Sequence, residues 1–469
     1  MTEISKAAQV ANLANEVVSV KDFGAVGDGV TDDYAAIQAA LDYWVTKSYT
    51  EPAELLIPAG DYIVGSQLNA IWSSHTSHVK TLNCYGTLNG NNELTGAEAV
   101  ALAAGEDVIR FSVEDVWASY YVFNGLSAKN CGAGGSCMTF DGGSGNTNQA
   151  LYVVHLNEPS AQTGKNISGS GGHGISFING FFEAAIMNPR VGLISDTCYG
   201  LRFKPNETAS QITSSIDIVN PNIRGGKHGI YLEGIDHDVD IIGGTVILAQ
   251  EEGIMVEAAN VISLSGIHVE NNGLLATDMT SSNYAGIRVS GTSIDINNIR
   301  YANSSDSQYG KMKHAVKVFA TSRGTIRNIE GYDGTGLLKK ASLSSGVNGQ
   351  FSVADDTPSL YEIAYGTPVY FDLPSQRLVG TNIGDNDVTL DTTDPFSQRY
   401  ASTLTANRTV TLPTTEWNGL RFQICRTAAT AGAFTLDIGG LYTIPADTNG
   451  TVTVMGTGSG WRLESVSLW

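Results

Sequence analysis

Between Gly171 and about Leu338 one short phrase recurs: a glycine, an aliphatic residue, a free position and another apolar residue. It reads Gly174-Ile175-Ser176-Phe177, Gly200-Leu201-Arg202-Phe203, Gly229-Ile230-Tyr231-Leu232, Gly253-Ile254-Met255-Val256 and Gly286-Ile287-Arg288-Val289, with a glycine-less echo at Ala315-Val316-Lys317-Val318. Successive glycines are 26, 29, 24 and 33 residues apart. An aliphatic, polar, aliphatic triplet follows each phrase, as in Ile216-Asp217-Ile218, Val239-Asp240-Ile241, Ile262-Ser263-Leu264 and Ile294-Asp295-Ile296. A third apolar anchor comes at Ile223, Val246, Ile267, Ile299 and Ile329. Three short period-two strands per unit predict one coil of a parallel β-helix, whose units bury their apolar faces only by stacking on one another. No segment here sustains the i, i+3, i+4, i+7 pattern of a helix.

The flanks read differently. Residues 1–20 are alanine-rich and polar at first, with a weak helical pattern through Ile4, Ala8 and Ala11, and predict an attachment peptide or lead-in helix. Residues 21–60 predict an opening strand, a glycine turn and a helix with Ile37, Leu41, Trp44 and Val45 on one stripe. Asp32 and Asp33 then fall where the helix dipole favours anions, so with Asp28 they read as turn and cap residues rather than catalytic acids. From Ser66 to Gly172 the pattern loosens, with strands near Lys80 to Tyr85, Val108 to Val113, Tyr120 to Phe123, Met138 to Phe140 and Leu151 to Leu156, as expected of early coils with insertions. The glycine-rich tract Gly132 to Gly145 precedes no helix signal and is not read as a phosphate-binding loop. The β-helix is thus expected over 61–350, a proline-marked junction over 351–378, and a Thr-rich antiparallel β-sandwich over 379–469.

Composition agrees with an all-β chain: 53 glycines in 469 residues, and 16% charged residues. The formal net charge of −20 repels nucleic acid and anionic membranes at long range, so neither is an expected partner. Five scattered cysteines, Cys84, Cys131, Cys137, Cys198 and Cys425, do not form a disulfide framework, although Cys131 and Cys137 are close enough in sequence to pair. No apolar run approaches the ~20 residues of a membrane span, and no signal-peptide layout opens the chain. The reading is of a chain made in a cytoplasm without membrane insertion.

The phrase Asp22-Phe23-Gly24-Ala25-Val26-Gly27-Asp28-Gly29-Val30-Thr31-Asp32-Asp33, followed by Leu55-Leu56-Ile57-Pro58-Ala59-Gly60-Asp61-Tyr62, resembles the opening segment of the pectate-lyase-like β-helix superfamily, found in many bacteriophage tailspikes. It covers about 45 residues and bears on fold far more than on chemistry. Leu404 to Leu412 and Gly460-Trp461-Arg462-Leu463 resemble modules at the C-termini of phage tail proteins. The resemblance implies a right-handed β-helix, a homotrimer with a C-terminal trimerisation or carbohydrate-binding module, attachment to a phage tail or another tail fibre protein, and a virion protein acting on bacterial surface polysaccharide.

Alternation orders the outward side chains. One column is Ser176, Arg202, Tyr231, Met255, Arg288 and Lys317; the next is Ile178, Lys204, Glu233, Glu257, Ser290 and Phe319. Coils are ~4.8 Å apart, so Glu233 and Glu257 are expected to face each other. Two carboxyls that share a site divide the roles of acid and of nucleophile or base, which is glycosidase chemistry. Asp236 is the candidate third acid, and Tyr231, Arg202, Lys204, Arg288 and His228 are candidate substrate-binding residues. Asp217, Asp240 and Asp295 form an alternative acidic column, without a neighbouring aromatic. His173, His228, His268 and Glu270 lie on different edges, so no metal site and no cofactor is expected.

Three functions fit: an endoglycosidase that hydrolyses capsule, exopolysaccharide or O-antigen; a polysaccharide lyase in which Arg202, Lys204, Arg288 and Tyr231 neutralise a uronate and remove its neighbouring proton; and a non-catalytic adhesin. The first is preferred because of the paired carboxylates.

Overall fold

The structure, a computed structural model, describes residues 16–47, 53–73, 79–90, 102–114, 117–143, 150–163, 172–194, 196–205, 213–276, 283–306, 309, 311–333, 338–354, 361–363, 369–371, 381–391, 394, 397–414, 420–427, 434–457 and 459–468. The leader 1–15, most of the expected junction and parts of the insertions after Asn271 and Ser304 lie outside the described residues. The chain divides into two compact units, one of residues 1–291, 299–315 and 331–338, the other of 292–298, 316–330 and 339–469.

The first unit is a parallel β-helix with three walls. Its first wall stacks Leu68–Trp72, Ile109–Val113, Ser136–Asp141, His173–Ile178, Tyr199–Lys204 and the first parts of His228–Ile242 and Ile254–Ser265. The second stacks Ala53–Ile57, Lys80–Cys84, Trp117–Asn124, Ala150–Asn157, Phe181–Met187, Thr213–Val219 and the second parts of the same two long strands. The third runs from Asp61–Ile63 through Thr245–Ile247 to His268–Glu270. Each of these pairings is parallel, so every connection is a crossover, for which one hand is strongly favoured. In both long strands the first wall passes into the second without a loop, and their pairing takes up the bend as a register shift between Ile235 and Asp238.

The aliphatic positions of the phrases are the core. Ile175, Phe177, Leu201, Phe203, Ile230, Leu232, Ile254 and Val256 are all buried. Aromatic side chains in successive coils stack face to face, Phe111 on Phe140 at 5.2 Å, Phe140 on Phe177 at 4.8 Å and Phe177 on Phe203 at 4.8 Å between centroids. The repeated glycine marks a close approach of coils rather than an unusual backbone angle. A Cβ on Gly174 would lie 2.4 Å from the Gly200 carbonyl oxygen and 2.4 Å from Val191 Cγ1, and one on Gly253 would lie 2.8 Å from the Gly286 oxygen.

Turns between walls use a second device that the repeat did not reveal. Asn130, Asn179, Asn188, Asn220 and Asn271 adopt positive φ, a conformation asparagine tolerates better than most residues. Asparagine amides also bond from coil to coil, Asn157 to Asn124 and Asn124 to Asn83 at 2.7 Å each. At the N-terminal end the helix Tyr34–Lys47 buries Ile37, Ala40, Leu41, Trp44 and Val45, with Trp44 edge-on to Trp72. Asp33 accepts from the Val26 and Gly27 amides, Asp32 from Tyr34 and Gly65, and Asp28 from Val30 and Thr31, as turn and cap residues do. All five cysteines are free thiols; Cys131 and Cys137 have their sulfurs 3.9 Å apart. Among the described residues, no helix is long and apolar enough to cross a membrane.

In the second unit, residues 381–468 form two sheets around Leu390, Tyr400, Val410, Phe422, Ile424, Leu436, Ile438, Val452 and Val454. The expected antiparallel pairing holds for the final strands: Arg421–Arg426 with Gly450–Gly456, that strand with Trp461–Leu468, and Leu436–Ile438 with Tyr442–Ile444. The earlier strands pair in parallel, because Thr381–Asn382, Val388–Thr389, Ser397–Tyr400, Arg408–Thr411, Arg421–Arg426 and Leu436–Ile438 alternate between the two sheets. Alternation brings the chain back to each sheet in the same direction, so the module is mixed rather than antiparallel throughout.

Replacing Gly174 by Ala is expected to destabilise the protein by about 1–3 kcal/mol through overpacking. A urea midpoint equal to that of the wild type would show that the coils can part there at no cost.

Candidate active site

The site grows from the register of the first wall. Ser176 pairs with Arg202, Arg202 with Tyr231, and Tyr231 with Met255, while Ile178 pairs with Lys204 and Glu233 with Glu257. The two outward columns therefore lie side by side as alternation requires, although Ser176 and Met255 are buried at 1% and 5% exposure. The remaining expected members Lys317 and Phe319 belong to the second unit.

Like charges opposite each other on neighbouring strands repel, and Tyr231 relieves this for Glu233 and Glu257. Its Oη donates to Oε2 of each at 3.0 Å, a bifurcated bond from a single hydrogen. Twice 3.0 Å bounds the separation of those two oxygens at 6.0 Å. Lys204 Nζ stands 3.9 Å from Glu233 Oε2. Burial first, and then the two carboxylates, hold the Tyr231 phenol well above its ordinary pKa, so the ring serves as a hydrogen-bond donor and is a poor proton acceptor. Asp236 does not join the cluster. It is exposed beyond the end of the first wall, where its carbonyl accepts from Asn260.

A second group sits beside Tyr231. The residue before each repeated glycine forms its own column: His173, Tyr199, His228 and Glu252. His173 stacks on Tyr199 at 5.2 Å, Tyr199 on Tyr231 at 4.7 Å, and His228 on Tyr231 at 5.5 Å, all within 19° of parallel. Arg202 lies over the Tyr199 ring at 5.9 Å. His228 is buried between two carboxylates, its Nε2 3.5 Å from Glu251 and its Nδ1 3.5 Å from Glu252. Glu252, 2% exposed, is 3.5 Å from Arg288 Nη1, and Glu251 is 3.8 Å from Lys227. Burial raises the Glu252 carboxyl, with Arg288 opposing, and burial with Lys227 lowers His228 to about 4.

Sequence reasoning chose His228 and Arg288 but missed what joins them. Glu251 and Glu252 belong to no strand phrase, and their signal was Glu252 standing before Gly253 as His228 stands before Gly229. The ligand atoms of His228, Glu251 and Glu252 lie within 4.8 Å of one another, a spacing that one metal ion would span. The same carboxylates already face Lys227 and Arg288.

The alternative acids divide between the units. Asp217 and Asp240 are opposed in register on the second wall, next to Glu183 and Asp238. Burial, then Asp240, Glu183 and Asp238, raise the Asp217 carboxyl against a small opposing effect of His155. Asp295 lies in the second unit, where burial raises its carboxyl but is outweighed by Thr325 and Arg327, leaving it below the ordinary value. That makes Asp295 an ion-pair partner rather than an acid. His268 and Glu270 pair at 3.2 Å on the third wall, away from the first-wall cluster.

Residues 17–109 match the family described as rhamnogalacturonase A/epimerase, pectate lyase-like. Over 57 residues the chain is 49% identical to the tail spike protein of Shigella phage Sf6, a match covering 11% of this chain and 9% of that protein. The fold is that of a tailspike with a pectate-lyase-like β-helix. Among solved structures, the tailspike is similar to the enzymatically active domain of tailspike protein 2 of bacteriophage CBA120, with TM-score 0.47 and 14% identity over 97% of this chain and 70% of that one. It is also similar to the A-module of the mannuronan C-5 epimerase AlgE4 of Azotobacter vinelandii, with TM-score 0.46 and 18% identity over 76% of this chain and 98% of that one.

His228 makes the tailspike's stability depend on pH with a definite sign. Its ring is neutral in both states above pH 6.5, and between 6.5 and about 4 the unfolded chain takes up a proton that the folded site refuses. Stability is therefore lost as pH falls through that window, by up to about 3 kcal/mol from this group. Glu252 works in the opposite sense as pH rises above 4.5. Urea titrations at pH 7 and pH 4.5 are expected to show a smaller loss in His228→Gln than in the wild type. Equal losses would remove the histidine from this account.

Proposed function

We propose that this tailspike is a depolymerase of bacterial surface polysaccharide that works as an endoglycosidase, with Glu233 and Glu257 as its catalytic carboxyls. The observation that carries the reading is the Tyr231 hydroxyl held between those two side chains. One carboxyl protonates the leaving glycosidic oxygen and the other attacks the anomeric carbon or activates water. The 6.0 Å bound on the oxygen separation supports retention, for which the carboxyls stand ~5–5.5 Å apart, over inversion at ~6.5–9.5 Å. In a retaining reaction Tyr231 donates to the nucleophile and orients it until the glycosyl bond forms, and Lys204 holds Glu233. The stacked His173, Tyr199 and His228 rings fix the plane of Tyr231 from behind. Under the same reading the protein is a homotrimer carried on a phage tail, and its substrate is capsule, exopolysaccharide or O-antigen.

The lyase reading draws less support. Its base has to accept a proton, and Tyr231 is shifted the wrong way. Its cations have to meet a uronate, whereas Lys204 and Arg288 each face a carboxylate of the protein.

Polysaccharides from a panel of bacterial surfaces, incubated with the protein and sized by gel filtration, provide the test. One or more members should shorten without the ultraviolet band of an unsaturated sugar. Glu233→Gln and Glu257→Gln should each lower the rate by roughly 10²–10⁴-fold with unchanged thermal unfolding, and Tyr231→Phe by less. Full activity in both glutamine variants would sink the assignment, and an ultraviolet-absorbing product would replace hydrolysis by elimination. Polymers bound but left at full length would make the protein an adhesin.

A further inference from the structure

The charges on the Tyr231 face bear on the substrate as well as on the mechanism. Resting on the reading of this face as a polysaccharide-cleaving site, we infer that the sugar units seated on it are uncharged: a neutral glycan segment without carboxylate, sulfate or phosphate.

Recognition of an anionic sugar needs cations that are not already committed. On this face the cations are engaged. Lys204 stands 3.9 Å from Glu233, Arg288 3.5 Å from Glu252 and Lys227 3.8 Å from Glu251, while Arg202 covers the Tyr199 ring. The Arg288 pair is the costly one to open, because Glu252 is 2% exposed and would be left as a buried carboxylate without its counter-charge. A uronate entering beside Tyr231 would also meet Glu233 and Glu257 at the distance where like charges repel most.

The surroundings act in the same direction. On the adjoining second wall Glu183, Asp217, Asp238 and Asp240 occupy neighbouring outward positions of three successive coils. The chain as a whole carries a formal charge of −20, so its field slows the approach of a polyanion at low salt. Neutral sugars feel neither effect. The polar side chains of the face offer them hydrogen bonds, and Tyr231 and Tyr199 offer apolar ring edges.

The test uses the full chain and matched polymers: uronate-containing surface polysaccharides, the same samples after chemical reduction of each carboxyl to an alcohol, and naturally neutral polysaccharides. Chain length and binding by affinity electrophoresis are both read. The expected result is cleavage confined to neutral members, with a rate that changes less than about two-fold between about 20 and about 300 mM NaCl, since screening has little to act on. A uronate polymer cut as fast as its reduced form, or faster, overturns the inference, and so does failure to bind any neutral polymer. Neutral polymers that are bound but not shortened leave the inference standing and instead end the reading of this face as a hydrolase.

Discussion

Parallel hydrogen bonding between coils sets a spacing of ~4.8 Å, and every other feature of the first unit answers to it. Coils that close have no room for a Cβ where Gly174, Gly229, Gly253 and Gly286 pass their neighbours. The same spacing suits aromatic rings stacked face to face, so Phe140, Phe177 and Phe203 form a continuous column inside. It also sets what happens outside, because equivalent positions in adjacent coils must touch. A favourable pair such as Arg202 against Tyr231 and an unfavourable one such as Glu233 against Glu257 follow from one geometric rule.

The fold was readable in the sequence because this rule leaves a trace at every coil. The glycine, the aliphatic pairs and the period of 24 to 33 residues all have one cause. Register could be read as well, since a slip of one residue would turn Ile230 and Leu232 outward. The asparagine turns escaped notice because their role is conformational, at Asn179, Asn220 and Asn271, and has no counterpart in hydrophobic pattern. In residues 381–468 strand positions were visible but pairing direction was not. Short Thr-rich strands look the same whether the chain returns to the same sheet or alternates between two.

The candidate site was readable to the extent that it obeys alternation. Glu233, Glu257, Tyr231, Arg202 and Lys204 lie on one regular strand face and were found together. Glu251 and Glu252 lie in the bend before a strand, where alternation assigns no direction. The trace that could have found Glu252 is positional: it occupies the place of Tyr199 and His228 in the coil. Asp236 failed as a candidate for the complementary reason. Extending the regular strand past Gly234 ignores the bend between walls, which turns the chain away from the face.

These two groups form one device because Tyr231 belongs to both. Its ring packs against His228 and Tyr199, and its hydroxyl reaches the carboxylate pair. A phenol free to rotate out would leave Glu233 and Glu257 facing each other with only Lys204 nearby, and repulsion would then splay them. Rings stacked within 19° of parallel prevent that rotation. His228 can do this only while neutral and buried, and the protein secures that state by placing it among Lys227, Arg288, Glu251 and Glu252, whose charges offset one another. The hidden ion pairs thus bear on the geometry of the exposed carboxylates without touching them.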